Sequence, residues 1–148
     1  DSMVSFIKSN FSELLSRKDT CSVHIRRGDY LKYKEYHHNL TRRYYQACFE
    51  LNQDKHFVFF SDNIEWCKEK FNGMNATFID KGSDVEQLFL MSMMKNNIIA
   101  NSSYSWWAAW LNDYDGKQVF APHRWFGVKN SNLNTKDIIP EEWERVSG

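Results

Sequence analysis

The sequence has no apolar run near the roughly 18 residues that a membrane-crossing helix needs. Its start also lacks the basic, apolar and small-residue order of a secretory leader. A soluble protein is therefore expected, with no membrane span. Net charge is absent as well: nineteen Lys and Arg offset nineteen Asp and Glu, so no overall field would hold the molecule on nucleic acid or on an anionic membrane. Any anion must be captured by local groups. Cys21, Cys48 and Cys67 are odd in number and have neither CxxC spacing nor a zinc-type His pair, which argues against a disulfide framework and against a metal site. Buried thiols in a reducing compartment are expected instead. No repeat, low-complexity tract or Pro/Gly linker divides the chain, so residues 1–148 are expected to form one domain.

What the sequence does have is a regular exchange of two apolar periods. Val4, Phe6, Ile7, Phe11, Leu14 and Leu15 recur near 3.6 residues and predict an opening helix. Thr20 to Ile25 is a short β-branched run that predicts a strand, and Thr41 could cap a helix reaching about Asn52. The alternation continues with strand His56–Phe60, helix Ile64–Phe71, strand Ala76–Ile79, helix Val85–Lys95 capped by Asp84, and strand Asn97–Ala100. Helix Ser103–Leu111, a fifth strand Gln118–Ala121 and a short terminal helix Pro140–Val146 complete the prediction. Strands alternating with helices imply an α/β fold, a Rossmann-like parallel sheet covered on both faces. Aromatics make up 16% of the residues, with six Trp. Trp106, Trp107 and Trp110, at i, i+1 and i+4, cannot share one helix face, and at least two of them are expected in the core.

Polar clusters follow the carboxyl ends of the predicted strands: His24 to Asp29, Ser61-Asp62-Asn63, Asp80, Asn101 to Ser105, and Pro122-His123-Arg124. Strand ends and helix caps favour Ser, Asp and Asn for local reasons, but five such clusters on one edge mark the place where open parallel sheets bind ligands. In the first cluster, alternation puts Val23, Ile25 and Arg27 on one side of the strand and His24 and Arg26 on the other. Two adjacent guanidiniums on a buried strand call for an anionic partner, and the planar fork of Arg fits phosphate oxygens. An internal pair of either Arg with Asp29 is the competing reading. Ser102, Ser103 and Ser105 stand where a strand passes into a helix, so hydroxyls and free N–H groups meet the positive end of the helix dipole. Asp62 could accept from ribose hydroxyls or guanine N–H groups, or cap a helix. His37 and His38, in a loop without evident partners, are assigned no role.

These residues resemble the α-1,2-fucosyltransferases, particularly the bacterial members. His24-x-Arg26-Arg27-x-Asp29 is similar to that group's first motif, and Ser61-Asp62-Asn63, Asp84 to Met94 and Asn97 to Asn112 resemble later blocks in the same order. The resemblance runs from Thr20 onward and implies one half of a GT-B-type glycosyltransferase. That half would hold GDP-fucose, with inverting transfer of L-fucose to a galactose 2-hydroxyl of an acceptor glycan and no required metal or other cofactor. By this analogy Arg26 grips the diphosphate and Arg27 assists. Asn101, Ser102, Ser103 and Ser105 complete the cradle, Asp62 faces the guanosine, and Asp29 and His24 are candidates for the general base. The family's Gly-Gly-Leu-Gly-Asn-Gln type of segment and its acceptor-side half have no counterpart here, so the chain is expected to be a fragment, inactive alone. A transferase using another nucleotide sugar, or a non-catalytic nucleotide- or glycan-binding module, are the other readings. A bacterial cytoplasmic parent is expected, with the Golgi lumen as the eukaryotic alternative.

Overall fold

A computed structural model of the chain describes residues 2–27, 42–123, 125 and 138–147. In chain order its elements are α1 (Ser2–Ser16), β1 (Thr20–Ile25), α2 (Arg42–Glu50), β2 (His56–Ser61), α3 (Ile64–Lys70), β3 (Ala76–Phe78), α4 (Asp84–Ser92), β4 (Asn96–Ile98), α5 (Ser103–Leu111), β5 (Val119–Pro122) and β6 (Glu144–Val146). The strands form one six-stranded sheet in the order β3-β2-β1-β4-β5-β6, and every pairing is parallel. This is the Rossmann-like α/β sheet expected from the alternation. Its order reverses between β1 and β4.

Strand parity builds the two faces. Val23, Ile25, Phe57 and Phe59 project onto Tyr44, Cys48 and Phe49 of α2 and Cys67 of α3. Val58 and Phe60 project the other way, onto Ile7 and Leu14 of α1, Leu90 and Met91 of α4, and Ala108 of α5. A strand buried on both sides reads as an unbroken apolar run, as Phe57-Val58-Phe59-Phe60 does.

Four expectations change. The terminal segment is not a helix: Glu144–Val146 is strand β6, in register with Phe120–Pro122, after a turn closed by the Trp143 N–H on the Pro140 carbonyl at 3.1 Å. A sixth strand is therefore present, because the open edge of β5 offers hydrogen bonds that a one-turn helix could not match. Ser83, not Asp84, caps α4. Its hydroxyl accepts from the Glu86 N–H at 3.2 Å while the Glu86 carboxylate accepts from the Ser83 N–H at 2.8 Å, a reciprocal capping box that leaves Asp84 in the first turn. The three tryptophans of α5 lie mostly outside the core. Trp107 and Trp110 are 50% and 52% exposed, with Trp110 stacked on the half-buried Trp106 at 5.4 Å. Ser105, Ala108 and Ala109 take the inner face of α5, and their small size lets the helix approach closely. Asn63, rather than Asp62, caps α3, with its side chain accepting from the Trp66 N–H. The predicted cap Thr41 lies outside the described residues.

Candidate functional site

Rossmann-type sheets bind ligands beyond the carboxyl ends of the strands where the order reverses. Here that point lies between β1, which runs into His24–Arg27, and β4, which runs into Ile99–Ser102. Two neighbouring tyrosines of α2 anchor both ends. The Tyr45 hydroxyl donates to the His24 carbonyl at 2.8 Å, and the Tyr44 hydroxyl donates to the Ile99 carbonyl at 2.6 Å and the Phe120 carbonyl at 3.2 Å. Sequence reasoning missed this pair. Its only signal was two adjacent aromatic hydroxyls on a helix expected to cover one face of the sheet.

Beyond β1 the parity continues. Arg27 follows Val23 and Ile25 to the α3 side, where its guanidinium carbon sits 3.8 Å from the ring centre of Trp66. His24 faces α5, its ring 5.3 Å from that of Tyr104. Asp62, at the end of β2, accepts the Arg27 backbone N–H at 2.9 Å and so braces the strand end. Both arginines are half buried. The Nε of Arg27 and the Nδ1 of His24 are buried with no hydrogen-bond partner among the described residues, an uncommon state for buried polar atoms. Asp29, His37, His38 and Arg124 lie outside the described residues.

On the β4 side, Ser102 caps α5, its hydroxyl accepting from the Tyr104 N–H at 3.2 Å. Ser105 is turned inward and its hydroxyl accepts from the Ala100 N–H at 3.2 Å, closing the strand-to-helix turn. Ser103 is exposed in the first turn. Asn101 is buried, its amide donating to the Trp125 carbonyl at 2.8 Å. The structure thus brings His24, Arg27, Asp62 and the Asn101–Ser105 turn to one edge of the sheet.

Burial, and next the positive charge of Arg26, push the pKa of His24 down to about 3, against a smaller opposing pull from Asp62. The imidazole is neutral at pH 7. Below the ordinary value of about 6.5 the unfolded chain takes up a proton that the folded chain refuses, so stability from this residue is complete above that value and lost as pH falls. Wild type is expected to lose about 2 kcal/mol more than His24→Phe between pH 7 and pH 5, read by urea unfolding at each pH. Equal losses would show that the ring is not held neutral.

The concavity lined by Asn10, Phe11, Leu14, Arg17, His56 and Thr77 does not compete with this site. It lies by the start of β2, and its polar groups are bonded locally, as in His56 to Asn75 and Thr77 at 2.8 Å each. Cys21, Cys48 and Cys67 are free and buried. Burial raises all three thiols, Cys48 to about 12 and Cys67 to about 11. Among the described residues no group of His, Cys, Asp and Glu could hold a metal ion, and no helix is long and apolar enough to cross a membrane.

A doubly wound parallel sheet with polar strand ends gathered at its switch point is the architecture on which nucleotide-binding domains are built. Comparison with known proteins makes this specific. The model of the family described as Glycosyl transferase family 11 matches residues 2–146, and the chain belongs to that family. It is 39% identical to an alpha-1,2-colitosyltransferase of Escherichia coli, over 91% of this chain and 50% of that protein. It is 38% identical to the O-antigen biosynthesis glycosyltransferase WbnK of Escherichia coli, over 80% of this chain and 43% of that protein. A galactoside alpha-(1,2)-fucosyltransferase 1 of Bos taurus is 27% identical over 60% of this chain and 28% of its own length. The chain thus spans half or less of the length of these relatives. No solved structure matches it significantly.

Proposed function

We propose that the chain forms the donor-binding half of a glycosyltransferase that takes GDP-fucose and transfers L-fucose, with inversion, to a galactose 2-hydroxyl of a glycan. The observation that carries this reading is the Arg26-Arg27 pair at the switch point, opposite the amino terminus of a nine-residue helix. Among the described residues the Arg27 guanidinium forms no ion pair, so its charge is available to an anion. Arg26 grips the diphosphate and Arg27 assists it. The first-turn N–H groups of α5 and the Ser103 hydroxyl add donors at the positive end of the helix dipole, while Asn101, Ser102 and Ser105 hold that turn in shape. Asp62 fixes the end of β1 and faces the guanosine.

In the reaction the bond from the sugar anomeric carbon to the phosphate oxygen breaks, its electron pair stays on GDP, and the acceptor hydroxyl attacks from the opposite face. Pre-placed donors stabilise the charge growing on GDP, and the loss of one such donor typically costs about 10²–10³ in rate. The guanidiniums fill that role, so the reading calls on no metal. A base with a pKa near 3 is poorly matched to accept a proton at neutral pH, so His24 serves better to shape the site, and Asp29 is the base this reading retains. The free cysteines and the Escherichia coli relatives support a cytoplasmic bacterial parent.

Titration with GDP, UDP and CMP tests the assignment. GDP is expected to bind at least tenfold more tightly than the others, about 1.4 kcal/mol of base recognition, and equal affinities would remove the guanosine. Because one relative is named for colitosyl transfer, the sugar is decided separately, by turnover of GDP-fucose in the full-length protein. Tight binding without turnover would favour a different sugar or a non-catalytic module.

A further inference from the structure

We propose that Trp66 is the positioning residue that sets Arg27 for the diphosphate, an assignment that rests on the donor-binding reading above. A guanidinium has two flat faces and a rim of N–H groups, and phosphate oxygens bind at the rim. A carboxylate partner would occupy that rim and cancel the charge. An aromatic ring takes a face instead, leaving both rim and charge to a ligand, and its attraction for the cation grows as water is excluded. Arg27 shows this arrangement: its guanidinium carbon is 3.8 Å from the Trp66 ring centre, it has no ion pair among the described residues, and its buried Nε has no hydrogen-bond partner there.

The ring is itself held in place. Trp66 lies in the first turn of α3, where its backbone N–H donates to the Asn63 side chain at 3.3 Å. Its indole packs against the core beneath α2 and α3 and meets Phe71 edge-on at 6.1 Å and 80°. At the other end of Arg27, the carboxylate of Asp62 fixes the main chain at 2.9 Å. Clamping both ends of a long side chain removes rotamers that would otherwise have to be ordered when the ligand arrives. Trp66 therefore acts on affinity through Arg27, and it acts equally on any ligand that offers the same diphosphate.

The test is a double-mutant cycle. GDP and, separately, inorganic pyrophosphate are titrated into wild type, Trp66→Leu, Trp66→Phe, Arg27→Met and the Arg27→Met/Trp66→Leu double variant, each with its thermal unfolding recorded. Trp66→Leu is expected to weaken both ligands about 5- to 10-fold, and Trp66→Phe, which keeps an aromatic face, to recover most of that loss. In the Arg27→Met background Trp66→Leu is expected to cost nothing further, since the two residues act as one unit. Wild-type affinity in Trp66→Leu, or the same loss with and without Arg27, would overturn the assignment, the second result marking an ordinary packing effect. The Arg27 Nε–H resonance, expected upfield in the indole ring current and normal in Trp66→Leu, reports the stacking without any ligand. An intact ring-current shift with no binding of either ligand would overturn the donor-binding reading and the role of Trp66 with it. Binding that is indifferent to Trp66 would overturn the role of Trp66 alone.

Discussion

Replacing Arg26 with alanine is expected to weaken GDP binding by about a hundredfold, with the circular dichroism of the fold unchanged. A charge-assisted hydrogen bond contributes about 1.5–3 kcal/mol, and a guanidinium fork can form two. The site strengthens such bonds because it is poorly hydrated: His24, the next residue but one, is nearly inaccessible, and the charge of Arg26 contributes to the lowering of its pKa. Arg26 follows the last residue of β1 and lies beyond the ladders that pair β1 with β2 and β4, so its replacement is expected to leave the sheet intact. Arg26→Lys keeps the charge and loses the planar fork, and an intermediate loss of about tenfold is expected. Calorimetric titration measures all three proteins, and wild-type affinity in Arg26→Ala would refute the phosphate role. In the full-length protein the same change is expected to lower kcat by about 10²–10³, as for the loss of any pre-placed donor to the leaving group.

The first five strands were legible because double burial forces apolar runs and parity assigns each side chain to a face, whereas the order of the strands, and with it the switch point, came from the structure. Val23 and Ile25 toward α2, His24 toward α5 and Arg27 toward α3 all follow from the alternation. The limits of α5 were equally legible, since Ser102 is a capping residue that opens an apolar run. Other features depend on partners distant in the chain. A three-residue strand such as β6 has too little pattern of its own and exists because β5 has a free edge. Composition could not say that Ala108 and Ala109, rather than two of the tryptophans, would face the sheet, because close helix approach rewards small residues and a hydrophobicity scale does not. At the site, the end-of-strand rule located Arg26, Arg27, Asp62 and Asn101 to Ser105. It could not foresee that Ser105 would turn inward onto Ala100, that Asp62 would accept from Arg27, or that Tyr44 and Tyr45 would bind carbonyls at both strand ends.

The largest loss of stability is expected far from the arginines, at Asn97. This fully buried residue of β4 lies opposite Ser22 of β1 in the sheet register, so it joins the two strands that flank the switch point. Its amide donates to the Ser22 hydroxyl at 2.7 Å and to the Met91 carbonyl at 3.0 Å, and its oxygen accepts from the Asn112 amide at 2.8 Å. Asn112 in turn donates to the Met94 carbonyl at 2.7 Å and accepts from the Tyr114 N–H at 3.0 Å, tying the ends of α4 and α5 to the same point. Every donor and acceptor of Asn97 is used, and a buried network satisfied in this way is costly to break. Asn97→Leu has nearly the right volume but strands the Ser22 hydroxyl and one N–H of the Asn112 amide, and it takes one of two donors from the Met91 carbonyl, which still accepts from the Met94 N–H at 3.2 Å. At about 1–3 kcal/mol for each buried group left unpaired, reduced by local relaxation, a total loss of about 3–4 kcal/mol is expected. For a domain of this size that corresponds to a fall in Tm of about 6–14 °C. Ser22→Ala in the same background removes one of the orphaned groups and is expected to restore about 1 kcal/mol, although alone it destabilises. Urea unfolding of the two single variants and the double variant decides the matter: additive losses would show that Ser22 and Asn97 do not share a bond, whereas partial recovery in the double variant would show that their link holds β1 against β4 beneath the site.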